Sequence, residues 1–463
     1  MIRVHKRAVR YTLPANIIPM QADVPRIIIA GTHSGCGKTT VASGLMAALV
    51  ARGLDVQPFK TGPDFIDPSH HTAICGRTSR NLDPCMMGEP GVLRTFAGAT
   101  AGADIAVIEG AMGMFDGTGG TDTASAAHIA RILKAPVVLV VDAHAVSRSI
   151  HAVIRGFRDF DPRVTIAGVI YNRIGSDRHR EMIAREESVP ALGWIPRQPE
   201  NAVKSRHLGL LMAHESSAMK AFGRIIRDTC DLGRILEVAA KAPPLSVPQV
   251  PAPRPAAVHP LPVIGVAHDA AFCFYYQDNL DHLARAGAEI RFFSPMESAD
   301  PDVDAVYLGG GYPELHGAAL EHSRFRKLLR DRVSEGMPVY GECGGLMYLC
   351  SSLETDHTYA MSGILPARAV MTKKLAALGY TSGHFRKRLW PGAIAIRGHE
   401  FHYSKIECDA GARFALALEQ GKGISGGNDG LFEHAAIGSY THAYFTDAFC
   451  RHFVDAAASF SRT

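Results

Sequence analysis

A cysteine set among glycines, in MPVYGECGGLMYL at residues 337–349, is the strongest chemical signal in the chain. An apolar run ends at Gly341-Glu342, Cys343 follows, and Gly344-Gly345 opens a helical pattern. A thiol on a tight strand-to-helix turn is pushed out of the backbone. Helix N-terminal N–H groups there can lower its pKa and receive an oxyanion. Small flanking residues suit a strained turn that a substrate must approach closely. The second signal lies about 300 residues upstream, in GTHSGCGKTT at 31–40. Gly35 and Gly37 let backbone N–H groups wrap a phosphate, Lys38 supplies charge, Thr40 lies beside it, and Thr39 can reach Mg²⁺. The fit to G-x-x-x-x-G-K-[ST] is displaced, because Gly31 comes one place early and Thr32 occupies the first-glycine position. A thiol nucleophile and a nucleotide site in one chain point to hydrolysis of one substrate driving ATP-dependent modification of another.

Acidic residues gather after strands beside the phosphate loop. Glu109 ends DIAVIEG, where a carboxylate is placed to bind Mg²⁺. Asp64 and Asp67 lie in KTGPDFIDPSHH, and Asp116 in GAMGMFDGTGG. Both segments read as loops at the carboxyl edge of a sheet, suited to Mg²⁺, a second metal or an acyl-phosphate, and Asp64 is the candidate second ligand. The loop spacing resembles the dethiobiotin-synthetase-like branch of P-loop proteins. Partition and nitrogenase-iron-type ATPases of that superfamily carry a signature lysine where this chain has His33, which disfavours a dimeric switch ATPase. Asn172 ends VTIAGVIYN, and in similar folds an Asn there reads the adenine edge.

Cys343 needs a base. His442 in IGSYTHAYF is one candidate, and His399 and His402 in GHEFHYS are competitors. Class I glutaminases, which this half resembles, place their histidine near the end of the domain, and that order favours His442. The loop Gly309-Gly310-Gly311 follows the strand AVYL and has no apolar reason to be triple glycine. Its N–H groups at Gly310 and Gly311, with that of Gly344, would form an oxyanion hole.

These residues need rigid elements to hold them. With 463 residues the chain has room for two or three domains. The stretch 243–262 has eight prolines in twenty positions, which favours extended geometry and excludes helix. The expected division is an N-terminal extension without structure at 1–24, with Met20 as an alternative start, a P-loop domain at 25–242, a linker at 243–261, and a second domain at 262–463. RIIIAG, DVQPFK, DIAVIEG, APVVLVVD and VTIAGVIYN alternate with helical patterns, as do VIGVAHD, AEIRFF, AVYLGGG and MPVYGEC. Each domain therefore reads as α/β with a parallel sheet covered on both faces. Hydrophobic content of 47% with a net charge of +4 fits a soluble protein without a nucleic-acid or membrane partner, and no apolar run can span a bilayer. Nine cysteines, odd in number and with no C-x-x-C, argue against disulfides and zinc and fit a reduced cytoplasm.

KTGPDFIDPSHH, EGAMGMFDG, LGGGYPELH, YGECGGLMYL, GHEFHYS and GSYTH, in that order from about residue 25 onward, resemble the cobyrinic acid a,c-diamide synthase family. The resemblance implies a dethiobiotin-synthetase-like P-loop domain followed by a class I glutamine amidotransferase-like domain. It implies amidation of the a and c acetates of a corrin ring in cobalamin biosynthesis, with glutamine as nitrogen donor and ATP and Mg²⁺ as cofactors. Cys343 and His442 would hydrolyse glutamine. Asp64, Ile66, Asp67 and Asp116 match the family positions for catalysis and substrate handling. The Glu that class I glutaminases carry two places after their histidine is replaced by Tyr444. Ala/Arg/Gly-rich composition, as of a high-GC genome, favours metal-free hydrogenobyrinic acid over cobyrinic acid. Partners are then the corrinoid acid, glutamine and ATP, with a homodimer left open. The rivals are a cobyric acid synthase amidating other carboxylates, and a P-loop switch ATPase with a glutaminase-like regulatory domain.

Overall fold

Strand apolarity on both faces, followed by helix, fixes the first half of the molecule. The computed structural model describes residues 9–11, 21–197, 216–249, 260–297, 300–386 and 394–461. The chain divides into two compact units, Asn16–Val250, and Pro251–Thr463 together with Met1–Ala15.

The first unit holds a seven-stranded sheet. Its order is Arg80–Leu82, Val56–Thr61, Ile105–Glu109, Arg26–Gly31, Val137–Asp142, Ile166–Ile174 and Ala191–Pro196. All neighbouring pairs are parallel. Alternation sends Ile28, Ile108 and Leu139 into one core and Ile27, Ile29, Val107, Val138 and Val140 into the other. Helix Lys38–Val50 closes the second core with Val41, Leu45, Met46 and Leu49. Truncating one of these side chains to alanine should cost about 2–5 kcal/mol. The register sets Lys60 and Ile29 against Glu109, and Asp142 against Asn172. The carboxyl ends of the central strands thus share one crevice, the usual ligand position in an open parallel sheet.

This unit extends past the expected boundaries. Gln21–Ala22 pairs antiparallel with Leu245–Ser246. The buried Arg26 guanidinium donates to the carbonyls of Val24, Leu133 and Pro243. The start of the proline-rich stretch is therefore fastened to the P-loop unit. Residues 250–259 of that stretch, and 1–8 and 12–20 with Met20, lie outside the described residues.

The second unit has a mixed eleven-stranded sheet. Glu289–Phe293, Val263–Ala267, Ala305–Leu308, Val339–Glu342 and Ala436–Ser439 are parallel. Val9–Tyr11 adds an antiparallel edge strand beside Glu289–Phe293, so this part of the expected extension is paired. Beyond Ala436–Ser439 come antiparallel Asn428–Glu433, Phe414–Gln420, Ala377–Phe385, Ala395–His402 and His442–Tyr444. This antiparallel half, absent from the sequence reading, curls back, because the Ala443 N–H in its last strand donates to Glu342 Oε1 at 3.0 Å. A four-stranded sheet, Thr358–Ala360, Ser352–Glu354, Ala367–Met371 and Ser404–Cys408, packs alongside. No described helix is long and apolar enough to cross a membrane.

Candidate active sites

The phosphate loop runs from the end of strand Arg26–Gly31 into helix Lys38–Val50. Gly37 caps that helix at φ 104°, a left-handed conformation that a side chain would strain. Arg173 donates to the Gly35 carbonyl at 3.0 Å. Lys38 Nζ donates to the His33 carbonyl at 3.0 Å, and burial pushes its pKa down. Thr40 is half-buried on the same first helical turn. Asn172 donates to the Cys36 carbonyl at 2.9 Å and accepts from the Arg173 N–H at 2.9 Å. In this geometry Asn172 braces the loop, where the sequence suggested an adenine contact.

Three of the four expected carboxylates, Asp64, Asp67 and Glu109, converge around Lys60, a cation that the motifs alone do not single out, and Asp116 does not join them. Thr39 donates its hydroxyl to Glu109. Lys60, at the end of its strand, lies 2.7 Å from Asp67 Oδ2, 2.8 Å from Glu109 Oε1 and 3.8 Å from Asp64 Oδ2. His71 Nε2 is 2.8 Å from Glu109 Oε2. Burial pushes the Glu109 carboxyl up, but Lys60 and His71 outweigh it and hold the carboxyl below its ordinary range. Lys60 rises despite burial, because Glu109, Asp67 and Asp64 surround it. Burial and Asp67 push Asp64 up, with Lys60 opposing. Asp64 Oδ1 accepts from the N–H groups of Ile66 and Asp67 and so tethers the start of helix Ile66–Cys75. Half-buried Ile66 is the first residue of that helix. Asp116 is exposed, accepts from Gly113 N–H at 3.0 Å, and lines an open cavity of about 610 Å³ with Phe115, Asp122, Phe160 and Arg163. Among the described residues no group of three or more His, Cys, Asp or Glu side chains is arranged to hold a metal. Thr39 and Glu109 supply adjacent hard oxygen donors, the sparse protein set that Mg²⁺ accepts when water and phosphate complete its shell.

In the second unit, strand Val339–Glu342 turns sharply into helix Gly344–Leu349. Cys343 stands at the turn with φ 46° and ψ −93°, a strained backbone for a residue with a side chain. Its N–H donates to the Ser439 carbonyl at 2.7 Å, fixing the elbow to the neighbouring strand. Burial, then the charges of Glu314 and Glu342, push the thiol up to about 12, while the Gly344 N–H pulls it down. Glu314, from GGGYPELH, carries an Oε2 atom that is buried with no hydrogen-bond partner among the described residues, and burial pushes its carboxyl up.

The glycine loop and His442 meet beside this elbow. A Cβ on Gly344 would come 3.1 Å from Gly311 N, so these two peptide groups adjoin. A Cβ on Gly310 would come 2.4 Å from His442 Cε1, so the ring lies where only glycine leaves room. The Gly309 carbonyl accepts from Gly345 N–H, and the Gly310 carbonyl from the N–H groups of Cys273 and Phe274. Burial, then His399 and His402, lower the His442 pKa well below its usual value. His399 stacks on His442 with centroids 5.0 Å apart, and its Nδ1 is 2.8 Å from the Tyr276 hydroxyl. His402 Nδ1 contacts the Ser404 carbonyl at 2.9 Å, and its ring stacks on Tyr440. Of the three histidines, His442 is the one packed against the Gly310 loop.

Residues 27–210 match the CobQ/CobB/MinD/ParA nucleotide binding domain, and 263–448 match the CobB/CobQ-like glutamine amidotransferase domain. The chain is 43% identical to the cobyrinate a,c-diamide synthase of Methanosarcina acetivorans, over 91% of this chain and 92% of that one. It is 42% identical to the enzyme of the same name from Archaeoglobus fulgidus, over 93% and 96%. The Listeria monocytogenes enzyme is 41% identical, over 91% and 96%. Likeness at this level along nearly the whole of both chains, with both domains matched in order, places the chain in the cobyrinate a,c-diamide synthase family.

Proposed function

We propose that this chain uses ATP and glutamine to amidate the a and c acetate carboxylates of a corrin ring in cobalamin biosynthesis, with hydrogenobyrinic acid as the favoured ring. The observation that carries the reading is the elbow of Cys343 beside Gly311, Gly344 and His442, in a chain that also folds a phosphate loop against buried carboxylates.

In the second unit, a neutral His442 takes the Cys343 proton. The thiolate attacks the glutamine carboxamide carbon. The N–H groups of Gly344 and of the Gly310-Gly311 loop hold the oxyanion. His442 returns the proton to the leaving nitrogen, ammonia departs, and water cleaves the thioester to glutamate. In the P-loop unit, the γ-phosphoryl group of ATP passes to a ring carboxylate, and ammonia displaces phosphate from the acyl-phosphate. Lys38 neutralises phosphate charge while Asp64, Asp67 and Asp116 orient the reacting carboxylate and ammonia. Thr39 and Glu109 would hold Mg²⁺, which supplies charge neutralisation on the phosphates when bound. Lys60 keeps Glu109 ionised and holds Asp67 in place. The test is product analysis after incubation with ATP, Mg²⁺, glutamine and each of the two corrinoid acids. Diamide from hydrogenobyrinic acid supports the reading in full. Diamide from cobyrinic acid alone would overturn the ring preference, and no diamide from either would overturn the function.

A further inference from the structure

The structure points to a carboxylate that acts on His442 from an unexpected place. We propose that Glu342, the residue before the nucleophile, is the positioning residue for His442, standing in for the acid that class I glutaminases carry two places after their histidine. The inference rests on Cys343 and His442 being the glutaminase pair.

The usual position is occupied here by Tyr444, whose hydroxyl turns to Asp278 at 3.5 Å. Glu342 reaches the histidine across strands. Its Oε2 lies 3.9 Å from His442 Nδ1, and both side chains are 2% exposed. Two donors aim the carboxylate. Ala443 N–H donates to Oε1 at 3.0 Å, and the Tyr307 hydroxyl donates to Oε2 at 2.9 Å. The first contact fixes the backbone directly after His442, so one side chain sets both where the histidine sits and what its ring faces. A structural carboxylate could satisfy Ala443 alone; this one also turns its second oxygen towards the imidazole.

Among the described residues no other strong cation faces it. Tyr275, Tyr307 and Tyr340 line the strand side, Asp429 reaches the loop from Ser439 to Thr441, and His399 stacks on the far partner. Burial pushes the Glu342 carboxyl up to about 8, with the Ala443 and Tyr307 donors pulling it down. An imidazolium formed at His442 when Cys343 gives up its proton is therefore the charge that Glu342 is placed to meet, and the attraction is strong in so dry a site. At 3.9 Å the contact is longer than a hydrogen bond and falls within ion-pair reach, as expected for an arrangement that tightens with substrate.

The sign of one measurement separates this role from a bystander's. A negative charge merely near Cys343 hinders thiolate formation, so its removal would speed alkylation of the thiol. A carboxylate that supports imidazolium favours the thiolate–imidazolium pair, so its removal slows alkylation. The experiment uses the full chain with Glu342→Gln, which keeps an acceptor for Ala443, and Glu342→Asp, which keeps the charge but retracts it. Iodoacetamide labelling of Cys343 is followed by peptide mass spectrometry between pH 6 and 9 beside steady-state glutaminase kinetics. For Glu342→Gln we expect labelling about tenfold slower at pH 9, where the Glu342 carboxyl is ionised, with the difference shrinking toward pH 6, and kcat at that pH down about 10- to 100-fold with KM within twofold. Glu342→Asp falls between the variant and the wild type. Unchanged or faster labelling in Glu342→Gln at pH 9, or a kcat there within twofold of wild type, overturns the proposal. Should Glu342→Gln not fold, Glu342→Asp decides alone: slower labelling with reduced kcat supports the role, and unchanged or faster labelling overturns it. A wild-type chain that hydrolyses no glutamine overturns the glutaminase reading and this inference together.

Discussion

Lys60→Met gives the sharpest prediction for the P-loop unit. The substitution keeps the length of the side chain and deletes a cation lying 2.7 Å from Asp67 and 2.8 Å from Glu109. Both carboxylates are almost fully buried, at 3% and 0% side-chain exposure. Breaking a buried pair from one side leaves uncompensated charge and costs about 3–5 kcal/mol. In a unit of this size, with about 2–4 °C per kcal/mol, the melting point should fall by roughly 6–20 °C. Glu109 would answer by taking up a proton, since Lys60 is the chief charge that opposes its burial. The sign of the pH dependence follows. Glu109 is held below its ordinary range, so its contribution is fully present above its unfolded pKa of about 4.3 and is lost as the pH falls through its lower folded value. The variant lacks that contribution, so its deficit against wild type is full at neutral pH and shrinks in acid. Calorimetry from pH 3.5 to 7.5 measures the deficit, with glutaminase activity as a control on the other unit. Asp67→Asn added to Lys60→Met should recover part of the loss, because it removes one of the stranded charges. A melting point within 2 °C of wild type at neutral pH, a span well below the shift worked above, would refute the account of this cluster.

Further predictions concern both sites. Cys343→Ser should abolish glutamine-dependent amidation while ammonia still supports it; near-normal use of glutamine would remove Cys343 as nucleophile. Lys38→Ala should abolish amidation with either nitrogen source and spare glutaminase activity, read by separate assays of glutamate and diamide. Gly310→Ala should drive its Cβ into the His442 ring and lower glutaminase kcat by on the order of 10²-fold, since misplacing a reacting group by about an ångström has that effect. Asp64→Asn should lower turnover with saturating ammonia far more than it weakens ATP binding by calorimetry, because its contact is made mainly in the transition state.

What the sequence disclosed depended on whether the cause was local. The elbow at Cys343 and the loop at Gly37 are written in neighbouring residues, because a positive φ and a strand-to-helix turn demand glycine or small residues nearby. The five main strands of the P-loop sheet were legible because a strand buried on both faces must be apolar throughout. Arg80–Leu82 was not, being three residues long with two polar side chains. Lys60 was hidden because a lysine at a strand end reads as solvated until its neighbours are known to be Asp67 and Glu109. The only signal was its place at the carboxyl edge, as the first residue of KTGPDF. Glu342 stood inside the quoted motif, but its meaning comes from Ala443 and His442, about 100 residues later. Asn172 was singled out and found at the loop, yet its amide faces the Cys36 carbonyl, a pairing no spacing rule foretells. The antiparallel half of the second sheet was missed because its strands mix Gly, His, Glu and Arg, as edge-rich antiparallel strands can.

The central claim is that nitrogen freed at Cys343 ends on corrin carboxylates activated in the P-loop unit. The most direct measurement supplies glutamine labelled with ¹⁵N at the amide, together with ATP, Mg²⁺ and hydrogenobyrinic acid, and weighs the corrinoid product against that from unlabelled glutamine. The account predicts two labelled nitrogens per ring, with ATP consumed in step, and none when Cys343→Ser replaces the wild type. A labelled-glutamine reaction that releases glutamate but leaves the ring free of ¹⁵N would contradict it.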